Sequence, residues 1–220
     1  SLVGSEMCIR DRLLMAPNWM GVSAGAEKIA EAVAAKGYVV LIADLYGQSL
    51  RPGDASQAGA AMMPLKDDRA LLRKRMQAAF AALQSQGEAA VDTSRLATFG
   101  FCFGGCCALE LARSGAPVKA AVSFHGTLDT PNPADANNIK GSVLVLHGAA
   151  DPFVAKEQLP AFEAEMDAAG VDWQLVSYGG AVHSFTDTHA NLPGKMMYDA
   201  KTSARAFATM HYLLDEVFSG

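Results

Sequence analysis

Cys102 stands in the run Gly100-Phe101-Cys102-Phe103-Gly104-Gly105, between a stretch that reads as a strand (95–99) and one that reads as a helix (104–113). That is the setting of a nucleophile elbow, with cysteine in place of the usual serine. A strand that reverses sharply into a helix leaves no room for side chains at Gly100 and Gly104, so the glycines have a mechanical role. A thiol at a helix N-terminus, beside an imidazole, is expected to spend more of its time as thiolate, its nucleophilic form. Two further groups complete the chemistry. Asp151 lies in His147-Gly148-Ala149-Ala150-Asp151-Pro152, after a strand at 143–146, and His183 lies in Gly179-Gly180-Ala181-Val182-His183-Ser184-Phe185, after a strand at 173–178. Alone, Asp151 is an ordinary turn residue and His183 an ordinary surface histidine. Together they supply the proton carrier and the carboxylate that orients it, which is what acyl transfer through a thioester requires.

Short apolar runs must alternate with amphipathic stretches to hold three loops at one end of a sheet, and they do. From Leu13 the pattern gives a strand at 13–16, then a helix over 21–36 with Ser23 as cap, Ile29 and Val33 on one face and Gly37 as terminator. A buried strand follows at 38–42, and 44–63 reads as a surface loop. Pro64 is expected to open a long helix burying Leu72, Met76, Phe80 and Leu83, with Asp67, Asp68, Arg73 and Lys74 on its solvated side. A strand at 118–124, a helix at 157–169 ended by Gly170, and a closing helix at 199–218 with Phe207, Met210, Leu214 and Val217 inward complete the alternation. The expected fold is α/β, a mostly parallel twisted sheet with helices on both faces. The order nucleophile, acid, histidine is that of the α/β-hydrolases.

Composition narrows the function classes. The 220 residues are 50% hydrophobic and 19% charged, which suits one domain over 13–220 with a large core. The net charge of −5 disfavours a nucleic-acid partner, and no apolar run is long enough to span a bilayer. Of the four cysteines, Cys102, Cys106 and Cys107 crowd one segment and cannot staple distant parts of the chain, and their spacing lacks the paired ligands of a zinc site. A reducing, cytoplasmic location, no metal, no cofactor and a monomeric state are expected. Residues 1–12, SLVGSEMCIRDR, show neither periodicity nor a signal-peptide pattern and resemble a translated sequencing adapter. They are read as non-native, with the native N-terminus and any targeting signal lost, which leaves Cys8 without meaning.

GFCFGG (100–105), HGAADPFV (147–154) and GGAVHSF (179–185) resemble the motifs of the dienelactone hydrolase family, with ADLYGQ (43–48) and APNWMG (16–21) in support. The similarity runs from Leu13 to about Phe218. It implies that Cys102 attacks, that Asp151 orients His183, and that backbone N–H groups of Phe103 and Trp19 form an oxyanion hole. The implied activity is carboxymethylenebutenolidase-like cleavage of a small ester or lactone. Two positions depart from the pattern: Asn18 stands where members acting on dienelactone carry a glutamate, and Asp187 stands where a substrate-binding arginine is common. Asp187 would repel an anionic substrate, and neither Arg51 nor Arg69 can be placed in the pocket from sequence.

Asn18, Met20, His125 and Phe153 are candidates for the substrate pocket, although Trp19, Met20 and Phe153 would equally fill core. His125 and His147 end strands near the site and are read mainly as structural; His189 and His211 read as incidental. Two other functions fit the same residues: a ligand-binding protein that has lost turnover, suggested by Asn18 and Asp187, and a redox-sensing thiol protein pairing Cys102 with Cys106.

Overall fold

The computed structural model describes residues 11–85 and 95–219. Cys8 and most of the segment 1–12 lie outside them. In chain order the elements are β1 (Arg12–Ala16), α1 (Ala24–Ala34), β2 (Val39–Ile42), α2 (Ala55–Asp67), α3 (Arg69–Ser85), β3 (Leu96–Phe101), α4 (Phe103–Arg113), β4 (Ala120–Phe124), a 3-10 turn (Pro133–Asn138), β5 (Ser142–Gly148), α5 (Gln158–Ala169), β6 (Trp173–Tyr178), β7 (Asn191–Leu192), β8 (Met196–Met197) and α6 (Ala200–Ser219). Six strands form a parallel sheet in the order β2-β1-β3-β4-β5-β6.

The apolar runs are buried on both faces because helices cover both. α1 and α6 pack on one face through Ala26, Ala30, Val33, Met210 and Leu214. On the other, α3 and α4 pack through Leu72, Met76, Phe80, Cys107 and Leu111, and α5 adds Phe162 and Met166. Every residue of β3 and β4 is buried, as expected for inner parallel strands. The order in which the chain adds strands switches sides at β1, with β2 on one flank and β3 on the other, where Ala16 is in register with Gly100. Such a switch point opens a crevice at the carboxyl ends of the strands, where ligands of open parallel sheets bind.

Several elements differ from the sequence expectation. β2 is not buried throughout: it pairs only with β1, at the sheet edge, and Val39 is 38% exposed. The expected loop 44–63 contains the start of α2. Asp54 caps it by accepting a hydrogen bond from the Gln57 N–H at 2.9 Å, and Pro64 sits inside α2 rather than opening a helix. A proline removes one ladder hydrogen bond and strains the turn before it, so the helix soon breaks at Asp68 and α3 starts afresh. Asp68 then caps α3 through the Leu71 N–H at 2.9 Å. α1 keeps its cap, with Ser23 accepting from Ala26 N–H, and Gly170 ends α5 in the left-handed conformation.

Arg73 is likewise not a solvated surface charge. Its Nε donates to Glu110 at 2.8 Å and its guanidinium reaches Asp135 at 2.5 Å. Glu110 also accepts from Arg113, which is buried and grips both oxygens of Glu165 at 2.7 Å. Residues on α3, α4, α5 and the 3-10 turn are thereby joined beneath the apolar layer. Helical spacing along one element cannot reveal charges paired across four.

Candidate active site

The elbow is tight in the way the glycines imply. A Cβ on Gly100 would overlap the Gly104 backbone, and one on Gly104 would overlap the carbonyls of Ala16 and Pro17, so α4 can approach β1 only without side chains there. Between them Cys102 adopts φ 56° and ψ −120°. This region is sparsely populated for a residue with a Cβ and costs about 1–3 kcal/mol, which surrounding contacts must offset. The Cys102 N–H supplies two of those contacts, donating to Phe124 O at 3.0 Å and to His125 Nδ1 at 3.2 Å.

Asp151 and His183 arrive from the ends of β5 and β6. Their loops are pinned together: Ala150 N–H donates to Ala181 O at 2.9 Å, and Gly148 lies so close to the Ala181 and Val182 carbonyls that a side chain would not fit. Asp151 Oδ1 accepts from Phe153 N–H at 2.8 Å, while Oδ2 accepts from His183 Nδ1 at 2.7 Å. The β7–β8 hairpin holds His183 from the other side, since His183 N–H donates to Lys195 O and Met197 N–H to His183 O, both at 3.1 Å.

Burial by itself would lower the His183 pKa. Hydrogen bonds to Asp151 and to the Cys102 side chain, with the charge of each, override it and push the value up to about 10. Because Asp151 occupies Nδ1, the ring turns Nε2 toward Cys102. Phe153 and His125 pack edge-on against this ring, with centroids 5.0 and 5.2 Å away.

Trp19 lies in the turn after β1. Asn18 builds that turn: its carbonyl accepts from Gly21 N–H at 2.9 Å and its Oδ1 from Met20 N–H at 3.0 Å, and Tyr46 OH donates to Trp19 O at 2.8 Å. Among the described residues, the N–H groups of Trp19 and of Phe103, the first residue of α4, donate to no protein acceptor. Unpaired N–H groups at a helix start and an adjacent turn can receive developing negative charge.

A cavity of about 720 Å³ opens beside these groups, between α1, the loop after His183 and the start of α6. Asn18, Met20 and His125 line it, together with Asp187, Ile29 and Phe207. Cys102 and His183 are not part of its wall, but their neighbours His125 and Ser184 are. Phe153 is not in that wall either; it is 48% exposed, with its ring edge-on to His183. Arg51 is taken by Asp44 at 2.8 Å, and Arg69 by Asp129 at 2.7 Å and by the Cys106 sulfur, so neither reaches the cavity. Cys106 is buried in that contact, and its burial pushes the thiol pKa up.

His147 is buried with Nδ1 unpartnered, and burial lowers its pKa. His189 is exposed, and His211 stacks on Tyr38. Thr186 was not singled out by sequence reasoning; its Oγ1 lies 2.8 Å from His125 Nε2. Its only advance signal was its place three residues beyond His183. Among the described residues no cluster of three or more His, Cys, Asp or Glu could hold a metal, and no helix is long and apolar enough to cross a membrane.

Residues 10–218 match the dienelactone hydrolase family. A solved structure designated m3DLH is 43% identical, covers 94% of this chain and 87% of its own, and superposes with a TM-score of 0.88. A dienelactone hydrolase-like promiscuous phosphotriesterase from metagenomic libraries is 41% identical over the same shares, with a TM-score of 0.87. A Methylorubrum extorquens protein named as a carboxymethylenebutenolidase is 30% identical over 186 residues, 79% of this chain and 62% of that relative. The sheet and its helices are those of the α/β-hydrolase fold.

Proposed function

Because this chain belongs to the dienelactone hydrolase family, and so is a hydrolase of carboxymethylenebutenolidase type, we propose that it cleaves a small ester or lactone through Cys102, His183 and Asp151. The observation that carries this reading is the grip on His183, which Asp151 holds at Nδ1 while Nε2 faces the Cys102 sulfur.

A protonated His183 is the partner a thiolate needs. The Cys102 sulfur attacks the ester carbonyl carbon, and the carbonyl electron pair moves onto oxygen, facing the N–H groups of Phe103 and Trp19. When the tetrahedral intermediate collapses, the acyl C–O bond breaks, and His183 Nε2 gives its proton to the departing alkoxide. A lactone opens instead into a hydroxyacyl thioester. His183, now neutral, takes a proton from water as the water attacks the thioester, and collapse returns the acid product and the Cys102–His183 pair. Asp151 remains ionised throughout and fixes the ring orientation.

The test is a rapid-mixing experiment with an activated acetate ester, read by alcohol release and by intact mass. A burst and an acetyl adduct on Cys102 are expected, with Cys102→Ala losing both. A Cys102→Ala enzyme that still turns over ester would overturn the reading. A neutral phosphotriester belongs in the same panel, since a 41%-identical relative is named for that activity.

A further inference from the structure

His125 is held by more contacts than a residue filling core requires. It follows β4 with φ 41°, a positive value uncommon for residues other than glycine. Its own N–H donates to Leu146 O at 2.8 Å, anchoring it to the end of β5. The residue is 2% exposed, and its ring stands edge-on to both His183 and Phe185, at 5.2 and 4.9 Å. Both ring nitrogens are occupied: Nδ1 faces the Cys102 N–H at 3.2 Å, and Nε2 faces Thr186 Oγ1 at 2.8 Å.

These contacts fix the tautomer. A backbone N–H can only donate, so Nδ1 is the acceptor and bears no proton. Nε2 therefore carries the hydrogen and donates it to Thr186. Burial and the neighbouring His183 keep the ring neutral, holding its pKa well below 6.5. A neutral ring with one tautomer is a rigid strut, one end on the strained elbow residue and the other on the loop that carries His183.

We propose that His125 is a positioning residue that sets the spacing of the Cys102 sulfur and the His183 ring, acting through the Cys102 N–H and Thr186 Oγ1. The proposal rests on the hydrolase reading above. Its consequence is specific: losing the Thr186 hydroxyl releases one end of the strut, so the His183 loop drifts relative to a nucleophile that stays in place. Misplacement of reacting groups by about 1 Å costs on the order of 100-fold in rate.

The experiment compares Thr186→Val, which keeps shape and loses the acceptor, with Thr186→Ser, which keeps the acceptor. Thr186→Val is expected to lower kcat by about 10- to 100-fold with KM within about twofold, and Thr186→Ser to recover most of that loss. The pH profile of Cys102 alkylation by iodoacetamide should shift in the valine variant and stay in place in the serine variant. Nitrogen-15 spectra of labelled histidine should show His125 as the neutral Nε2–H tautomer in the parent enzyme.

A purely structural role would lower the melting temperature of both variants and leave the alkylation profile unmoved, which overturns the proposal. So would an Nδ1–H tautomer, or equal kcat in the two variants. Failure of the hydrolase reading is a different outcome, in which Cys102→Ala retains full turnover; loss of turnover there with an unaffected Thr186→Val enzyme sinks the positioning role alone.

Discussion

Asp151 Oδ2 lies 2.7 Å from His183 Nδ1, although the two residues belong to loops after different strands. The other carboxylate oxygen is held by the Phe153 N–H, so the acid cannot swing away from the ring. Replacing it with an amide keeps the shape but offers an N–H or a neutral carbonyl where the ring expects an anion. Asp151→Asn is expected to lower kcat by roughly 10³- to 10⁴-fold with a native circular dichroism spectrum, because the histidine then adopts the wrong tautomer. Activity within about tenfold of the parent would mean that Asp151 does not orient His183 during turnover.

The elevated His183 pKa also makes stability depend on pH, with a definite sign. A histidine whose pKa rises from 6.5 to about 10 on folding binds its proton more tightly in the native state. Its contribution is therefore complete below pH 6.5, declines as pH rises, and is gone above about 10. Urea unfolding across that window should show stability falling by at most about 1.4 kcal/mol per pH unit from this group. His183→Gln, which cannot titrate, should flatten the slope. Parallel slopes in the two proteins would remove the proton held at His183 from the account.

Arg113 gives a second stability prediction, remote from the chemistry. It is 1% exposed and bonds Glu165 through two nitrogens, Glu110 through a third contact and the Leu128 carbonyl through a fourth. Removing one partner of a buried pair leaves the other charge unpaired, at a cost of about 3–5 kcal/mol. Arg113→Met should therefore lose about that much stability in urea unfolding. Adding Glu165→Leu to it should recover part of the loss, since the stranded carboxylate is then removed while Glu110 keeps its bond to Arg73. A double variant no better than the single one would show that packing, not the stranded carboxylate, sets the cost.

What the sequence makes legible follows from where the information lies. The elbow, the acid and the histidine each sit directly after an apolar strand, so local pattern and chain order were enough to bring Cys102, Asp151 and His183 together. The collisions at Gly100 and Gly104 were foreseeable for the same reason: they follow from the turn itself. α2 was hidden because its cap, Asp54, precedes a stretch with almost no apolar periodicity, and Pro64 was a stronger but misleading signal. The Arg73, Glu110, Arg113 and Glu165 network depends on which helices adjoin, and the His125 strut depends on a positive φ and on the approach of the 184–187 loop. Those are properties of the assembled layers. Phe153 reads from sequence as pocket wall or core; its ring stands edge-on to His183, a contact that depends on how the loops after β5 and β6 meet and that no spacing along the chain discloses.

Asp187 carries the substrate prediction furthest. It lines the cavity, partly exposed, with Oδ1 accepting from the His189 N–H at 2.9 Å. Arg51 and Arg69, the cations that sequence alone left open as compensation, are committed to Asp44 and to Asp129 and Cys106. Lys28 also lines the cavity, but it rises from the exposed face of α1. An ester bearing a carboxylate should therefore be a poorer substrate than its neutral methyl ester. A like-charge contact in a wet pocket is worth about 1 kcal/mol, or about fivefold in kcat/KM. Asp187→Asn should erase that preference by improving the anionic substrate while leaving the neutral one within about twofold. An unchanged ratio in the asparagine enzyme would place the scissile ester away from this wall, and equal rates for both substrates in the parent would show that the Asp187 charge is not felt by the substrate at all.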